Sequence, residues 1–204
     1  MARDPEKSAR RTTLRARRRA IAATRDAGAD GAVLADHVVA LLARLALGPG
    51  SVVTSYAAVP GEPPTAALNA ALLAGGIRVL LPVTLADLDL DWCDATGAPG
   101  TAHAAPPLGR DAVALADLVL APGLAVDRTG TRMGQGGGCY DRALPRRRPG
   151  TPVVVVLHPG ELLDAGDPPL PRQAHDQPVD AVVTAEGLTD LGLTPWSRPL
   201  PGAG

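Results

Sequence analysis

The 204-residue sequence contains no phenylalanine, a single lysine, two cysteines and no long apolar run. Cys93 and Cys139 lack the close spacing of a zinc ligand set or a dithiol redox motif, and so few cysteines suit a reducing compartment. No segment approaches the ~18 apolar residues of a membrane-spanning helix. Arg25, Asp26 and Asp30 interrupt the stretch where a signal peptide would have its apolar core. We therefore expect a soluble, cytoplasmic protein that does not contact a membrane.

Charge and aromatic content restrict the classes of partner. The formal net charge is -1, which argues against a protein that binds nucleic acid through bulk electrostatics. Aromatic residues make up 2% of the chain, so a flat ligand has few rings to stack on; they are Tyr56, Trp92, Tyr140 and Trp196. A hydrophobic content of 46% is enough for one sizeable core. We expect residues 1–204 to form a single domain, with a flexible tail over about 195–204.

Helical and strand patterns alternate along the chain. Asp4, Pro5 and Glu6 are typical of a helix start, and this first helix ends before Gly28. Apolar residues recur every three or four positions from Ala32 to Leu47, which predicts a second helix. Continuous Val and Leu runs predict strands that are covered on both faces. The sequence thus predicts an α/β fold, a Rossmann-like three-layer sandwich whose open, mostly parallel sheet carries helices on both faces. A further helix is predicted at 65–76, and strands are predicted within 51–59, 77–83, 152–157 and 179–185 and up to about Ala121.

One segment has a different period. Asp87, Asp89 and Asp91 alternate with leucine or tryptophan, which predicts an edge strand or hairpin with one solvated face. Three carboxylates on one side would also suit a metal ion, although charged residues more often serve to protect an exposed sheet edge.

Five glycines and three arginines lie in the segment 127–142, DRTGTRMGQGGGCYDR. Its spacing differs from the dinucleotide fingerprint, whose third glycine would fall at Cys139, and from a Walker A loop, which needs a lysine after its last glycine. Successive glycines nevertheless allow several backbone N–H groups to point at one anion. The loop also follows an apolar strand, and open α/β sheets bind ligands at strand carboxyl ends. An anion-binding loop flanked by Arg128, Arg132 and Arg142 and a surface turn in a glycine-rich chain both fit this pattern.

The first predicted helix has a basic face. Lys7, Arg11, Arg15 and Arg18 fall roughly on one side, where like charges oppose helix formation by a few tenths of a kcal/mol per pair. A bound polyanion would relieve that repulsion. A solvated helix face and a contact with nucleic acid are the competing interpretations.

The segment RMGQGGGCYDR, preceded by DLVLAPGLAVDRTG, resembles the signature of the 5-formyltetrahydrofolate cyclo-ligases, also called 5,10-methenyltetrahydrofolate synthetases. That signature is usually R-L-G-x-G-x-G-Y-Y-D-R after an aliphatic strand and a Pro-Gly pair. Three other segments agree with the family in order and spacing: Lys7 with Arg11, SYAAVPGEPPT around Glu62, and LPRQAHDQPVDAVVT near the C-terminus. The resemblance extends over about residues 7–184 and is weak between 84 and 111.

The resemblance implies roles for the residues at matching positions. Arg132 and Tyr140 are implied to be catalytic. ATP binding is implied for Lys7, Arg11, Arg132, Met133, Gly134, Gln135, Gly136, Gly137, Gly138, Cys139 and Tyr140. Folate binding is implied for Ala57, Glu62, Gln135, Gly136, Gly137, Gly138 and Cys139. The assignment of Glu62 makes chemical sense, because a carboxylate accepts paired hydrogen bonds from an aminopyrimidine edge.

Magnesium is the other ligand that the resemblance implies, held by Asp141 and Asp176. Two carboxylates together with phosphate and water oxygens are a common magnesium environment. Asp176 also fits a turn-forming role, and Asp180 is the competing second ligand. Cys139 replaces the first tyrosine of the family signature, and Gln135 stands where arginine or tyrosine is common. The resemblance therefore does not determine the affinity for folate.

The activity that the resemblance implies is the ATP-dependent conversion of 5-formyltetrahydrofolate to 5,10-methenyltetrahydrofolate, with release of ADP and phosphate. The expected partners are then small molecules, with no nucleic acid, and the chain is expected to be a monomer or a weak homo-oligomer. Two alternatives remain. One is a nucleotide- or phosphate-binding relative without cyclo-ligase activity, and the other is an RNA-associated protein that uses the basic N-terminal helix.

Overall fold

The computed structural model of the chain describes residues 4–95, 105–164 and 166–192, and the tail predicted at 195–204 lies outside this range. The helices are α1 (Pro5–Thr24), α2 (Ala27–Arg44), α3 (Ala66–Ala74) and α4 (Cys139–Ala143). The strands are β1 (Val52–Thr54), β2 (Arg78–Thr84), β3 (Leu90–Asp94), β4 (Leu118–Pro122), β5 (Ala125–Val126), β6 (Arg132–Met133), β7 (Val153–Val156), β8 (Ala181–Thr184) and β9 (Gly187–Asp190). Short 3-10 helices cover Arg110–Leu115 and Leu144–Arg146.

Within the described residues, the main sheet has seven strands in the order β3-β2-β1-β4-β7-β8-β9. Its central strands, β2, β1, β4, β7 and β8, are parallel, while β3 and β9 are antiparallel edges. Strand β2 pairs with one side of β1, and β4, the next parallel strand along the chain, pairs with the other side of β1. Such a change of direction leaves a crevice outside the carboxyl ends of the strands, here those of β1 and β4.

Apolar layers cover both faces of this sheet. On one face, α2 and α3 pack against side chains that include Val53, Val79 and Val154. On the other face, α4 and the two 3-10 helices pack against Leu80 and Val155, among others. Both layers consist mainly of buried side chains, as expected for parallel strands covered on two sides. The predicted α/β fold is confirmed.

Local capping explains where the first two helices begin. The Asp4 carboxylate accepts a hydrogen bond from the backbone N–H of Glu6 at 3.0 Å, and Pro5 takes the first helical position, as predicted. The second helix begins at Ala27, five residues before the predicted start, because the Asp26 carboxylate accepts from the Gly28 N–H at 2.8 Å. Such caps satisfy amides that otherwise lack an intrahelical acceptor.

The aspartate-rich segment forms the predicted hairpin between β2 and β3, in which Asp91 lies in the edge strand β3 and Asp87 and Asp89 lie in the connection before it. Its acidic residues are only partly solvated. Asp89 is 6% exposed and accepts hydrogen bonds from Arg146 at 2.7 Å and from Arg110 at 3.2 Å. Among the described residues, no group of three or more His, Cys, Asp and Glu side chains is arranged to hold a metal ion. Asp87 and Asp89 form ion pairs beside this edge, whereas Asp91 accepts a hydrogen bond from the Gly109 N–H at 2.7 Å. Strand β9 was missed, because its sequence, GLTD, lacks an apolar run.

Across the described part of the chain, none of the helices has the length and apolar character required to cross a lipid bilayer.

Candidate functional site

A cleft of about 780 Å³ opens at the carboxyl ends of β1, β2 and β4. One wall is the first turns of α1, and another is the segment that follows β1 and includes Ala57 and Glu62. The glycine loop between β6 and α4 forms the third wall. Segment 173–176 closes the side nearest to Lys7. The site therefore combines four parts of the chain that are distant in sequence.

The glycine loop, residues 134–138, faces this cleft with its main chain. Gly136 and Gly138 have φ angles of +108° and +68°, a region that residues with a Cβ rarely adopt. A Cβ at Gly134 would lie 2.8 Å from a guanidinium nitrogen of Arg132. Among the described residues, none of the N–H groups of this loop donates to a protein acceptor. Unpaired amides at a cleft wall are the arrangement that an anion site requires.

Arginines hold the carbonyl side of the same loop. Arg11 donates from Nε to the Gly134 carbonyl at 3.2 Å, and Arg15 donates to the Gln135 carbonyl at 2.6 Å and to its side-chain oxygen at 3.1 Å. Arg142 donates to the carbonyl of Gly137 at 2.7 Å. These contacts occupy the loop oxygens and leave the amides for a ligand. The basic face of α1 thus has protein partners of its own, and the sequence had assigned no role to Arg15.

Lys7 and Asp176 form a buried ion pair at the end of the cleft. Their N–O distance is 2.5 Å, and their side chains are 7% and 8% exposed. The Gln173 backbone N–H also donates to the Asp176 carboxylate, at 2.7 Å. Burial opposes ionisation of this carboxyl, but the hydrogen bonds from Lys7 and Gln173 outweigh it and hold the pKa of Asp176 below its ordinary value. Lys7 is therefore anchored inside the cleft.

Arg132 joins the loop to the floor of the cleft. Its guanidinium donates to the Asp141 carboxylate at 2.8 Å and to the Pro122 carbonyl at 3.3 Å. It also lies over the ring of Tyr140, with 5.6 Å between the guanidinium carbon and the ring centroid. The Arg132 side chain is 4% exposed. A buried cation in this position supplies fixed positive charge next to the loop amides.

The remaining lining of the cleft includes a carboxylate and two tyrosines. Burial raises the pKa of the Glu62 carboxyl, although the Val59 N–H donates to it at 3.2 Å. Burial also raises the pKa of Tyr56 and of Tyr140, so both phenols stay protonated. Neither hydroxyl has a hydrogen-bond partner among the described residues. The sequence had identified Tyr56 as a ring but had assigned it no role in the site.

Most of the residues assigned from the sequence meet in this one cleft, and two do not. Met133 is 2% exposed and packs with Leu14 and Leu124 in a separate apolar cluster. Successive side chains of a strand point in opposite directions, so in β6 Arg132 reaches the cleft while Met133 reaches the core. Asp180 precedes β8 and accepts from the Val153 N–H at 2.8 Å. It lies at the amino ends of the strands, which excludes it as the second magnesium ligand of this cleft.

Two carboxylates of the cleft are hard oxygen donors of the kind that magnesium uses. Asp141 and Asp176 both line the cleft, and hard carboxylate oxygens with phosphate and water are a usual magnesium environment. Each carboxylate is paired with a cation, Arg132 or Lys7. A metal ion at these carboxylates would therefore share them with Arg132 and Lys7.

Comparisons with known proteins identify the family of this chain. The model of the 5-formyltetrahydrofolate cyclo-ligase family matches residues 3–185. A 5-formyltetrahydrofolate cyclo-ligase of Mycolicibacterium smegmatis is 39% identical over 149 residues, which are 66% of this chain and 74% of that protein.

Two solved structures share the fold. A 5,10-methenyltetrahydrofolate synthetase from Mycoplasma pneumoniae has a TM-score of 0.69 at 17% identity and covers 89% of this chain and 99% of its own. The NMR structure of a 5,10-methenyltetrahydrofolate synthetase from Aquifex aeolicus has a TM-score of 0.65 at 21% identity and covers 97% of each chain. Since the family model spans most of the sequence, the chain belongs to the 5-formyltetrahydrofolate cyclo-ligase family.

Proposed function

We propose that this protein uses ATP to convert 5-formyltetrahydrofolate to 5,10-methenyltetrahydrofolate, with release of ADP and phosphate. The observation that carries the proposal is that the unpaired amides of the glycine loop and the Glu62 carboxylate line the same cleft. The groups proposed to bind phosphate and an aminopyrimidine edge therefore line one cavity of about 780 Å³.

In this proposal, the phosphates of ATP bind against the glycine loop. The amides of residues 134–138 supply backbone donors, and Lys7, Arg11 and Arg132 supply positive charge from two sides. Met133 contributes to this site only through the backbone turn that it begins, because its side chain is in the core. Charge-assisted hydrogen bonds from several fixed donors would hold the γ-phosphate in one orientation.

The folate is proposed to bind between Glu62 and the loop. Glu62 would accept hydrogen bonds from the pterin edge, and Ala57 is an exposed residue of the same wall. Tyr140 packs edge-on against Trp92, with 6.4 Å between the ring centroids, which fixes the ring at the cleft floor. Gln135, Gly136, Gly137, Gly138 and Cys139 would lie between the two substrates.

The chemistry follows from the properties of the formyl group. A formamide oxygen is a poor leaving group, so the γ-phosphoryl group is first transferred to it and ADP departs. The folate N10 then attacks the activated formyl carbon, the five-membered ring closes, N10 loses its proton, and phosphate leaves with the original formyl oxygen. Little covalent chemistry is required of the protein, whose tasks are positioning and charge stabilisation. Arg132 and the loop amides would stabilise the charge that develops on the transferred phosphoryl group.

Magnesium is proposed as the metal cofactor, held by Asp141 and Asp176. When bound, it would neutralise phosphate charge. Turnover should be lost on chelation of divalent cations and restored by added magnesium. Activity that persists in excess chelator would remove the metal from the proposal.

The direct test mixes purified protein with ATP, magnesium and 5-formyltetrahydrofolate and follows the near-ultraviolet absorbance of 5,10-methenyltetrahydrofolate. The absorbance should rise, and ADP should appear in equal amount. A folded protein that binds ATP but yields no product would instead support the phosphate-binding relative.

The RNA-associated alternative is disfavoured by the state of α1. Arg18 is buried and paired with Glu161, and Arg11 and Arg15 donate to carbonyls of the glycine loop, so most of the basic face is engaged by the protein itself rather than free for a polynucleotide backbone. The cytoplasmic location and the monomeric or weakly oligomeric state stay predictions, which fractionation and sedimentation would test.

A further inference from the structure

His158 lies outside the residues assigned to the reaction, yet it contacts the turn that carries Glu62. It follows β7, is 4% exposed, and its Nε2 lies 3.2 Å from the carbonyl oxygen of Gly61. Because a carbonyl only accepts, this contact places a proton on Nε2. A buried histidine that donates to the residue before Glu62 is a candidate for controlling where that carboxylate lies.

The turn itself is short and closed by its own main chain. The Glu62 N–H donates to the Val59 carbonyl at 3.0 Å, and the Val59 N–H donates back to the Glu62 carboxylate at 3.2 Å. Pro60 and Gly61 occupy its centre, and the φ angle of Gly61 is +86°. Proline followed by a glycine of positive φ is typical of a type II turn. The internal bonds set the shape of the turn, and the contact with His158 sets its position relative to the sheet.

His158 is itself held by a buried ion pair. The Glu161 carboxylate accepts from the His158 backbone N–H at 2.9 Å, and Arg18 of α1 donates to both carboxylate oxygens at 2.6 Å. The side chains of Arg18 and Glu161 are 6% and 2% exposed. Arg18 also donates to the carbonyl of Gly123, which lines the cleft. One buried network thus connects the floor of the cleft to the turn on its folate side.

We infer that His158 is a positioning residue for Glu62, and that it fixes the folate side of the cleft through the Gly61 carbonyl. The inference rests on the proposed function for its kinetic consequence. It predicts that loss of the Nε2 donor weakens folate binding while ATP binding is retained, because the contact reaches only the Glu62 turn.

The test compares His158→Leu, which removes the donor, with His158→Gln, whose side-chain amide nitrogen lies at about the same distance from the backbone as Nε2. His37→Leu, on the outer helix α2, is the matched control for loss of a histidine. We expect His158→Leu to raise KM for 5-formyltetrahydrofolate roughly 3- to 10-fold, the effect of one hydrogen bond, with KM for ATP within about twofold of the original. His158→Gln should restore most of the folate KM. A merely structural role predicts that both KM values rise together, or that glutamine fails as badly as leucine, and either result overturns the inference.

A second measurement does not depend on turnover. Amide hydrogen exchange at Glu62, whose N–H is bonded inside the turn, should be faster in His158→Leu than in the original protein and in His37→Leu. Equal exchange would overturn the positioning role even if the enzyme is active. If the original protein shows no turnover, the proposed function fails, and the exchange result still decides the role of His158.

Discussion

Replacing Arg132 with alanine should affect folding and catalysis by separable amounts. The substitution removes the hydrogen bond to Asp141 at 2.8 Å, the bond to the Pro122 carbonyl and the cation over the Tyr140 ring. Breaking a fully buried ion pair by removing one partner costs about 3–5 kcal/mol. Since the Asp141 side chain is 20% exposed, water compensates part of this, and we expect a loss of about 2–3 kcal/mol. For a chain of this size that lowers Tm by roughly 4–12 °C.

The catalytic loss should be larger than the folding loss. Removing a positive charge that stabilises the charge developing on a transferred phosphoryl group lowers kcat about 10³-fold or more. The rate is measured by methenyltetrahydrofolate absorbance at a temperature well below the Tm of the variant. The double variant Arg132→Ala with Asp141→Asn distinguishes the two effects, because it leaves no uncompensated carboxylate. It should recover most of the lost stability and none of the activity. A single variant that keeps its rate, or a double variant that melts no higher than the single one, would refute the role assigned to Arg132.

Three other predictions test the remaining walls of the cleft. Glu62→Gln should raise KM for 5-formyltetrahydrofolate roughly 10- to 100-fold, because a charged acceptor is lost, while KM for ATP stays unchanged. The two KM values are measured from initial rates with each substrate varied in turn. Equal increases in the two KM values would contradict the prediction. The Asp176 carboxyl has a lowered pKa in the folded protein, so its pair with Lys7 stabilises the fold above about pH 4, the pKa of an unfolded aspartate, and this contribution disappears as pH falls through the folded pKa. In urea unfolding, Asp176→Asn should therefore lose less stability between pH 5 and pH 2 than the original protein. Parallel curves of stability against pH for the two proteins would count against the pair. Gly136 and Gly150 have φ angles of +108° and +82°, and Gly150 has open space around it, so alanine at either position should destabilise the fold by about 1–2 kcal/mol. Only Gly136→Ala should raise KM for ATP in steady-state kinetics. A similar rise in Gly150→Ala would argue against the loop as the phosphate site.

Local sequence signals predicted the parts of this protein that depend on local physics. Asp4 and Pro5 predicted the start of α1, because caps act within a few residues. Continuous apolar runs predicted buried parallel strands, and the glycine-rich segment after one of them predicted a ligand loop at the end of the sheet. The start of α2 was predicted five residues late, since hydrophobic periodicity cannot locate the cap at Asp26.

The sequence by itself therefore determined the class of fold, the family and the segments that form the site. Tertiary structure decided which groups of those segments meet. Arg18 and Glu161 are 143 residues apart, and no local pattern relates them. The alternation of side chains in β6 sends Met133 into the core and Arg132 into the cleft, although both belong to one motif. Asp180 lies at the amino end of β8, whereas Asp176, four residues earlier in the connecting segment, lines the cleft and pairs with Lys7. Backbone signals act over a few residues, whereas the position of a side chain in a site depends on how distant elements pack.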